Sequence, residues 1–268
     1  MRSCWLVKGP TRITTRCSLA IRGLESTAGL RAWSAGKKVA WVAVSELWIL
    51  RCLGGIVIGY LCGLFLTADL VSRAVLHKSA FEAGDGNPGM ANLGHELGPK
   101  YAALILVGDC GKVVVAAILT AYLTQSTWST SAIWAGIGAT LGHNYPVWHK
   151  FRGGKGVATT CATFILAWPF AGIISCLVGL GTVVFSGYLC WGAVAIPAAY
   201  GVCSVGFLAY LVSQGSALGP TSIMIVQVIG AAVLLALMVL AHYPAIKGIK
   251  EGATPVATLA KKLRAKHR

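Results

Sequence analysis

The sequence predicts an all-α integral membrane protein with seven transmembrane helices, some of them short or irregular. Three observations carry that expectation. Of 268 residues, 56% are hydrophobic and only 12% are charged, whereas a soluble domain carries about a quarter charged residues. Mean hydropathy is +0.71. The apolar runs are long, rich in Gly and parted by short polar breaks, and in lipid such runs span as helices because each must satisfy its own backbone polar groups.

Residues 1–43 stand apart, with Arg, Ser, Thr and Gly but no sustained apolar periodicity. They are expected to form a disordered basic extension. No continuous apolar stretch follows the early charges as a secretory signal requires, and a start codon assigned too far upstream fits equally well. The membrane domain is expected over 44–246 and a basic cytoplasmic tail over 247–268. Apolar segments fall at 47–67, 101–123, 131–148, 156–168, 170–186, 190–212 and 222–242. Pro169 leaves 156–186 open as two short spans or one kinked helix. Loop charge arbitrates: with seven spans, the loop 73–100, the basic loop 149–155 and the Lys/Arg-rich tail share one side, and the loops opposite, around 124–130, 169 and 213–221, contain no Lys or Arg. That asymmetry fits the positive-inside tendency. The Arg-rich extension then falls on the other side, against it.

A formal net charge of +15 is gathered in a few loops and the two tails. It suits anionic lipid headgroups, at about 1 kcal/mol for each Lys or Arg near the surface. No stretch alternates basic and aromatic residues as a nucleic-acid platform does, so no nucleic-acid partner is expected. The nine cysteines are dispersed without a CxxC pair; most lie in apolar segments, where Cys acts as a small hydrophobe, and neither a zinc site nor a disulfide framework is indicated.

The densest chemistry lies at Leu141–Thr160, LGHNYPVWHKFRGGKGVATT. His143 and Asn144 sit just inside the preceding segment, Pro146 ends it, and Tyr145, Trp148 and Phe151 mark the membrane interface. Gly153, Gly154 and Gly156 can bare their N–H groups for want of a Cβ, with Arg152 and Lys155 adding positive charge. A helix starting at about Val157 would aim its unpaired N-terminal amides at the same point. Such a turn suits phosphate, although a plain basic loop that orients the protein is the simpler alternative. A Walker A loop is excluded, since Gly156 rather than Ser or Thr follows Lys155.

A second cluster, Ala83–His95, contains GDGNPG, which matches GxGxxG in form but lacks the βαβ context of a dinucleotide fingerprint. Either it is an Asx/Gly turn, or Asn87 and Asn92 offer hydrogen bonds to a polar substrate. Asp109 and Lys112 share a helix face inside the next span. A lone charge there costs about 2.5–3.5 kcal/mol on insertion scales, so they are expected to pair with each other or to meet a substrate. His242 closes the last segment, where a helix cap is the simpler role.

These residues resemble a known family, the bacterial acyl-phosphate:glycerol-3-phosphate acyltransferases of the PlsY type. GHNYPVWHKFRGGKGVAT is similar to that family's GHxxPVFxxFKGGKGVAT, GDGNPGMAN to its GSGNxGATN, DCGK at 109–112 to its DxxKG, and His242 with Ile246 to its HxxNIxRL. The resemblance covers roughly 48–252 and the family's seven spans. It implies transfer of a fatty acyl group from acyl phosphate to the 1-hydroxyl of glycerol 3-phosphate, giving lysophosphatidate and phosphate at the cytoplasmic face of the bacterial inner membrane. Acyl phosphate, glycerol 3-phosphate and membrane lipids are the implied partners, with no cofactor, metal, coenzyme A or carrier protein. By the same resemblance Lys155 and the glycines around it hold phosphate with help from Asn87, and His143 orients the loop or assists proton movement. Gly89, Asn92, His95, Arg152 and His242 complete the expected substrate-binding set.

The departures are specific. Asp85 replaces the first motif's Ser, where it would act as a base toward the glycerol hydroxyl; Ala91 replaces its Thr, and His95 stands where Arg usually follows. The family's RYVSLxS element falls at Ser186–Trp191 without its Arg or paired serines, and the Asn and Arg of the last element align with Ala245 and Gly248. Two other classes stay open: a transporter or anion-binding protein on the same scaffold, and a relative accepting another phosphorylated alcohol.

Overall fold

A computed structural model describes residues 48–216 and 218–257, and every regular element among them is helical. The first apolar segment forms α1 over 48–63, breaks at Leu64–Leu66, and resumes as α2, Thr67–Leu76. The stretch 73–100, expected as a charged loop, is largely helical. It holds the end of α2, a 3-10 turn at Ala80–Glu82 and α3, Met90–Leu97. Ser79 and Glu82 form a reciprocal capping box that starts the 3-10 turn, satisfying two N-terminal donors at once.

The remaining elements are α4 Pro99–Thr124, α5 Trp128–Asn144, a 3-10 turn Val147–His149, α6 Val157–Ala167, α7 Pro169–Ser186, α8 Leu189–Ser213 and α9 Leu218–Lys250. Trp168 is extended (φ −152°, ψ 93°) between α6 and α7, and Pro169 takes the first position of α7. A proline clashes with a helical residue before it and tolerates the first helical turn after it, so 156–186 is two helices. The third segment ends earlier than its apolar run to 148 implied, at Asn144. His242 lies inside α9, which runs on through Pro244 to Lys250, and not at its end.

Among the described residues, five stretches are long and apolar enough to cross a bilayer: Trp48–Leu76, Pro99–Thr124, Pro169–Ser186, Leu189–Ser213 and Gly219–Lys250. With 17 and 11 residues, α5 and α6 are shorter than the roughly 20 that a 30 Å core asks for. The protein is thus an all-helical integral membrane protein with two short helices packed among long ones.

Close approach of α1 to α5 depends on small residues. A Cβ on Gly59 would stand 2.0 Å from the Ala135 carbonyl oxygen and one on Gly63 2.3 Å from that of Ala139; one on Gly138 would stand 2.1 Å from the Ile56 oxygen. Gly55, Gly59 and Gly63 recur every fourth residue, the small-xxx-small spacing that lets membrane helices touch backbone to backbone.

Hydrogen bonds between connections fix which helix ends meet. Trp128 Nε1 donates to the Leu166 carbonyl (2.9 Å) and Ser129 Oγ to that of Ala167 (2.8 Å), which joins the start of α5 to the end of α6. At the opposite end the Phe81 and His149 rings lie 5.2 Å apart, and the chain beyond α9 returns so that Ala257 N–H donates to Gly187 O (2.7 Å). The connections 77–98, 145–156 and 187–188 thereby gather at one end. Near the end marked by Ser129, Phe164 stacks on Tyr200 at 3.9 Å, and Tyr200 O–H donates to Gln227, which donates to Ser129. Each polar group buried in that chain is paired, which holds α5, α8 and α9 in one register.

Candidate functional site

The site begins with the break in α1–α2, which frees backbone carbonyls within the first apolar segment. Lys112 Nζ donates to Phe65 O (3.0 Å), with Gly63 O 3.5 Å away, and Trp148 Nε1 donates to Leu64 O (3.2 Å). Lys112 also bonds Asp109 Oδ1 (3.0 Å) and His143 Nδ1 (2.7 Å), and Thr67 Oγ1 donates to the same Asp109 oxygen at 3.1 Å. Lys112, Asp109 and His143 are each more than nine-tenths buried in their side chains. A lysine ammonium has only protons to give, so His143 accepts at Nδ1 and carries its proton on Nε2. Asp109 and Lys112 therefore do pair, and their pair also caps a broken helix and sets the tautomer of His143.

The His143 ring in turn shapes the glycine turn. A Cβ on Gly154 would meet Nε2 at 2.1 Å, and one on Gly153 would meet the His143 carbonyl oxygen at 2.0 Å. The glycines are required because the turn presses on the end of α5, a reason different from the bare amides expected for all three. Gly154 N–H donates inward to His143 O (3.0 Å) and is not available to a ligand. Gly156, at φ +72°, is the left-handed N-cap of α6, a conformation open to Gly at little cost. Lys150 and Phe151, at φ +54° and +59°, also occupy the left-handed region, which costs a non-glycine residue about 1–2 kcal/mol; amide bonds from Phe151 to Pro146 O (3.0 Å) and Arg152 to His149 O (3.1 Å) hold them there.

What this turn leaves open is a row of donors. Among the described residues no hydrogen bond takes the N–H of Gly153, Lys155, Gly156, Val157, Ala158 or Thr159, and the first bonded amide of α6 is Thr160, on Gly156 O at 3.0 Å. Unpaired amides at a helix start and the positive end of its dipole together attract an anion. Half-buried Lys155 stands in this row. His242 is buried, with Nδ1 on the Met238 carbonyl at 2.9 Å, while Met238 Sδ accepts from Thr160 Oγ1 in the first turn of α6. The ring's other nitrogen is left as an acceptor. Asn144 adds an unusual feature: it is 4% exposed, and neither carboxamide atom has a partner. Leaving a buried amide unpaired costs about 1–3 kcal/mol.

Thus His143, Gly153, Gly154, Lys155, Gly156 and His242 come together around the start of α6. Arg152 lies beside this group, exposed, and lines a recess of about 310 Å³ with Phe81, Trp148, His149 and Lys150. Asp85, Asn87, Gly89 and Asn92 form a separate turn that closes on itself, and His95 follows it. Asn92 is buried; its Oδ1 takes Asp85 N–H (2.9 Å) and its Nδ2 donates to Ala83 O (2.8 Å) and Asn87 O (3.0 Å). Asp85 Oδ1 takes the Asn87 N–H at 2.9 Å, and Gly89 N–H donates to Asn87 O. This is the Asx/Gly turn. His95 is exposed on α3, and among the described residues no hydrogen bond or ion pair joins this turn to the glycine turn. The link between the two regions runs instead through Asp69, which accepts from Arg73 Nε (2.7 Å), Ser79 Oγ (2.7 Å) and Ala80 N–H (2.9 Å) and has His149 at 4.0 Å. Neither Asp69 nor Asn144 was assigned a role from the sequence.

Short and long apolar helices and a broken first segment define a polytopic helical membrane protein, with unpaired amides and a lysine at one helix start. The model of the family described as Glycerol-3-phosphate acyltransferase matches residues 53–252. The chain belongs to that family. It is 40% identical over 129 residues to glycerol-3-phosphate acyltransferase 1 of Lactobacillus johnsonii, across 48% of this chain and 62% of the relative. It is 34% identical over 139 residues to glycerol-3-phosphate acyltransferase of Halalkalibacterium halodurans, across 52% and 68%. The chain thus spans about three-fifths of the length of the first of these curated relatives. The crystal structure of PlsY (YgiH), an integral membrane glycerol 3-phosphate acyltransferase, in its glycerol 3-phosphate form, superposes with a TM-score of 0.61 at 23% identity, covering 79% of this chain and 98% of that one. At that identity the likeness speaks for the fold.

Proposed function

We propose that the protein is a membrane acyltransferase that moves a fatty acyl group from acyl phosphate to the 1-hydroxyl of glycerol 3-phosphate, giving lysophosphatidate and inorganic phosphate. The observation that carries this reading is the row of unpaired amides from Lys155 to Thr159 beside the Lys155 charge. Relatives named glycerol-3-phosphate acyltransferase, and PlsY structures in glycerol 3-phosphate and lysophosphatidic acid forms, supply the substrate class.

In this reading the glycerol oxygen attacks the acyl carbonyl carbon, the bond from that carbon to the phosphate oxygen breaks, and the hydroxyl proton leaves with a base. Acyl phosphate is a mixed anhydride with a good leaving group, so the protein has to position two substrates and neutralise phosphate charge. Lys155 and the α6 amides hold phosphate, with Arg152 at the approach. His242, whose Nδ1 is tied to Met238 O, offers its second nitrogen to the departing proton. His143 acts as a positioning residue, since Lys112 fixes its ring against Gly154. The turn holding Asp85, Asn87, Gly89, Asn92 and His95 shapes the entrance; its internal bonding argues for scaffold over chemistry.

Seven spans complete the reading: α1 with α2 as the first, then α4 to α9, so that 77–98, 145–156, 187–188 and the tail after α9 face the cytoplasm at the bacterial inner membrane. Residues 1–43, outside the described residues, serve as an extension, 44–246 as the acyltransferase domain and 247–268 as the basic tail. Protein reconstituted in lipid and given palmitoyl phosphate with labelled glycerol 3-phosphate should release labelled lysophosphatidate. Lack of product from folded protein, or uptake of glycerol 3-phosphate into proteoliposomes without acylation, would count against it.

A further inference from the structure

Asn144 is the residue whose geometry the reading above leaves unused. It ends α5, directly after His143, at a position that the family motif leaves open. Its side chain is 96% enclosed, being 4% exposed, and both Nδ2 and Oδ1 lack a partner. The carboxamide also has a definite neighbour: a Cβ on Gly156 would stand 2.5 Å from Asn144 Oδ1. The orphaned amide therefore lies against the residue at which the unpaired amides of α6 start. An unpaired carboxamide in a packed core is a net loss, and Leu would fill the same space without it. Next to a row of unpaired N–H groups it reads differently: Oδ1 is the atom nearest Gly156, no partner fixes the carboxamide in that orientation, and half a turn about its last side-chain bond puts the Nδ2 donor in that place.

We propose that Asn144 is a further phosphate-binding residue of this site, its Nδ2–H groups pairing an oxygen of the phosphate that seats on the first turn of α6. The proposal rests on the acyltransferase reading and deepens it. Binding requires Gly156 to shift, since the carboxamide is covered; the turn is held to α5 by Gly154 N–H on His143 O, and that bond need not break. Either substrate brings a phosphate, so the shared chemistry is a phosphate monoester or acyl phosphate dianion, and the kinetic arms separate the two.

The test uses the full chain in lipid nanodiscs with Asn144→Leu and Asn144→Asp. Asn144→Leu should keep or raise the melting temperature, because it removes two unpaired buried atoms, and yet raise KM about tenfold or more for one phosphate substrate. Measuring KM for palmitoyl phosphate at saturating glycerol 3-phosphate, and the reverse, names which. Asn144→Asp should raise the same KM further, because a carboxylate repels phosphate. Binding of inorganic phosphate, followed by titration calorimetry, should weaken in parallel. That arm decides the role of Asn144 even if the wild-type protein makes no lysophosphatidate, an outcome that would overturn the acyltransferase reading instead. A lowered melting temperature for Asn144→Leu with both KM values and phosphate affinity unchanged would make Asn144 a structural residue and overturn the proposal, as would an Asp variant that binds phosphate like wild type.

Discussion

The glycine turn at 143–160 and the Asn/Gly turn at 83–95 read alike in sequence: both are rich in glycine, both carry Asn and His, and both match a family motif. In three dimensions they are opposites. The Asn92 carboxamide spends its bonding capacity on Asp85, Ala83 and Asn87 and closes its turn. The other turn ties its first half through amides such as those of Phe151, Arg152 and Gly154, and among the described residues leaves the amides from Lys155 to Thr159 and the Asn144 carboxamide without partners. Polar composition identifies a turn; unsatisfied polar groups single out which of the two to test for a ligand.

The contrast can be broken most forcibly through the support beneath the glycine turn. Lys112→Met should strand Asp109 in the bilayer and cost about 3–5 kcal/mol, seen as loss of folded protein in detergent thermal melts, and Asp109→Asn added to it should recover part of the loss. Next in size, Lys155→Ala should forfeit about 1.5–3 kcal/mol of charge-assisted binding, a ten- to hundredfold loss of kcat/KM with the melting temperature unchanged. On the other turn, Asn92→Ala should reverse that pattern: about 1–3 kcal/mol of stability lost through three abandoned partners, with KM for glycerol 3-phosphate unmoved. Smallest of all, Asp85→Ala should change stability by no more than about 0.5 kcal/mol, since its side chain is exposed and accepts only the Asn87 amide. If Asp85→Ala instead abolished turnover with stability intact, the two turns would share the chemistry and the contrast would fail.

Much of the architecture was legible from the chain alone. Apolar runs located the helices, loop charge decided that Pro169, otherwise open to a kinked helix, parts two helices, and the start of α6 was read at Val157. The family resemblance was carried by GHNYPVWHKFRGGKGVAT. What stayed hidden was hidden for physical reasons. The interruption at Leu64–Leu66 contains no Gly or Pro to announce it; it persists because Lys112 and Trp148, distant in sequence, satisfy the freed carbonyls. The Gly55, Gly59 and Gly63 repeat and the Ser79/Glu82 capping box were local signals that could have been read, the first for the α1–α5 contact and the second for the helical character of 73–100. No sequence pattern distinguishes Asn92, which finds three partners, from Asn144, which finds none. Satisfaction of a buried amide is decided by tertiary packing.

The most direct measurement is backbone amide exchange in nanodiscs, with and without glycerol 3-phosphate and inorganic phosphate. Protection appearing at Lys155–Thr159, with Asp85–Asn92 unchanged, is the expected result. Protection confined to Asp85–Asn92, or none at the start of α6 under saturating ligand, would contradict the assignment of that helix start as the seat of phosphate.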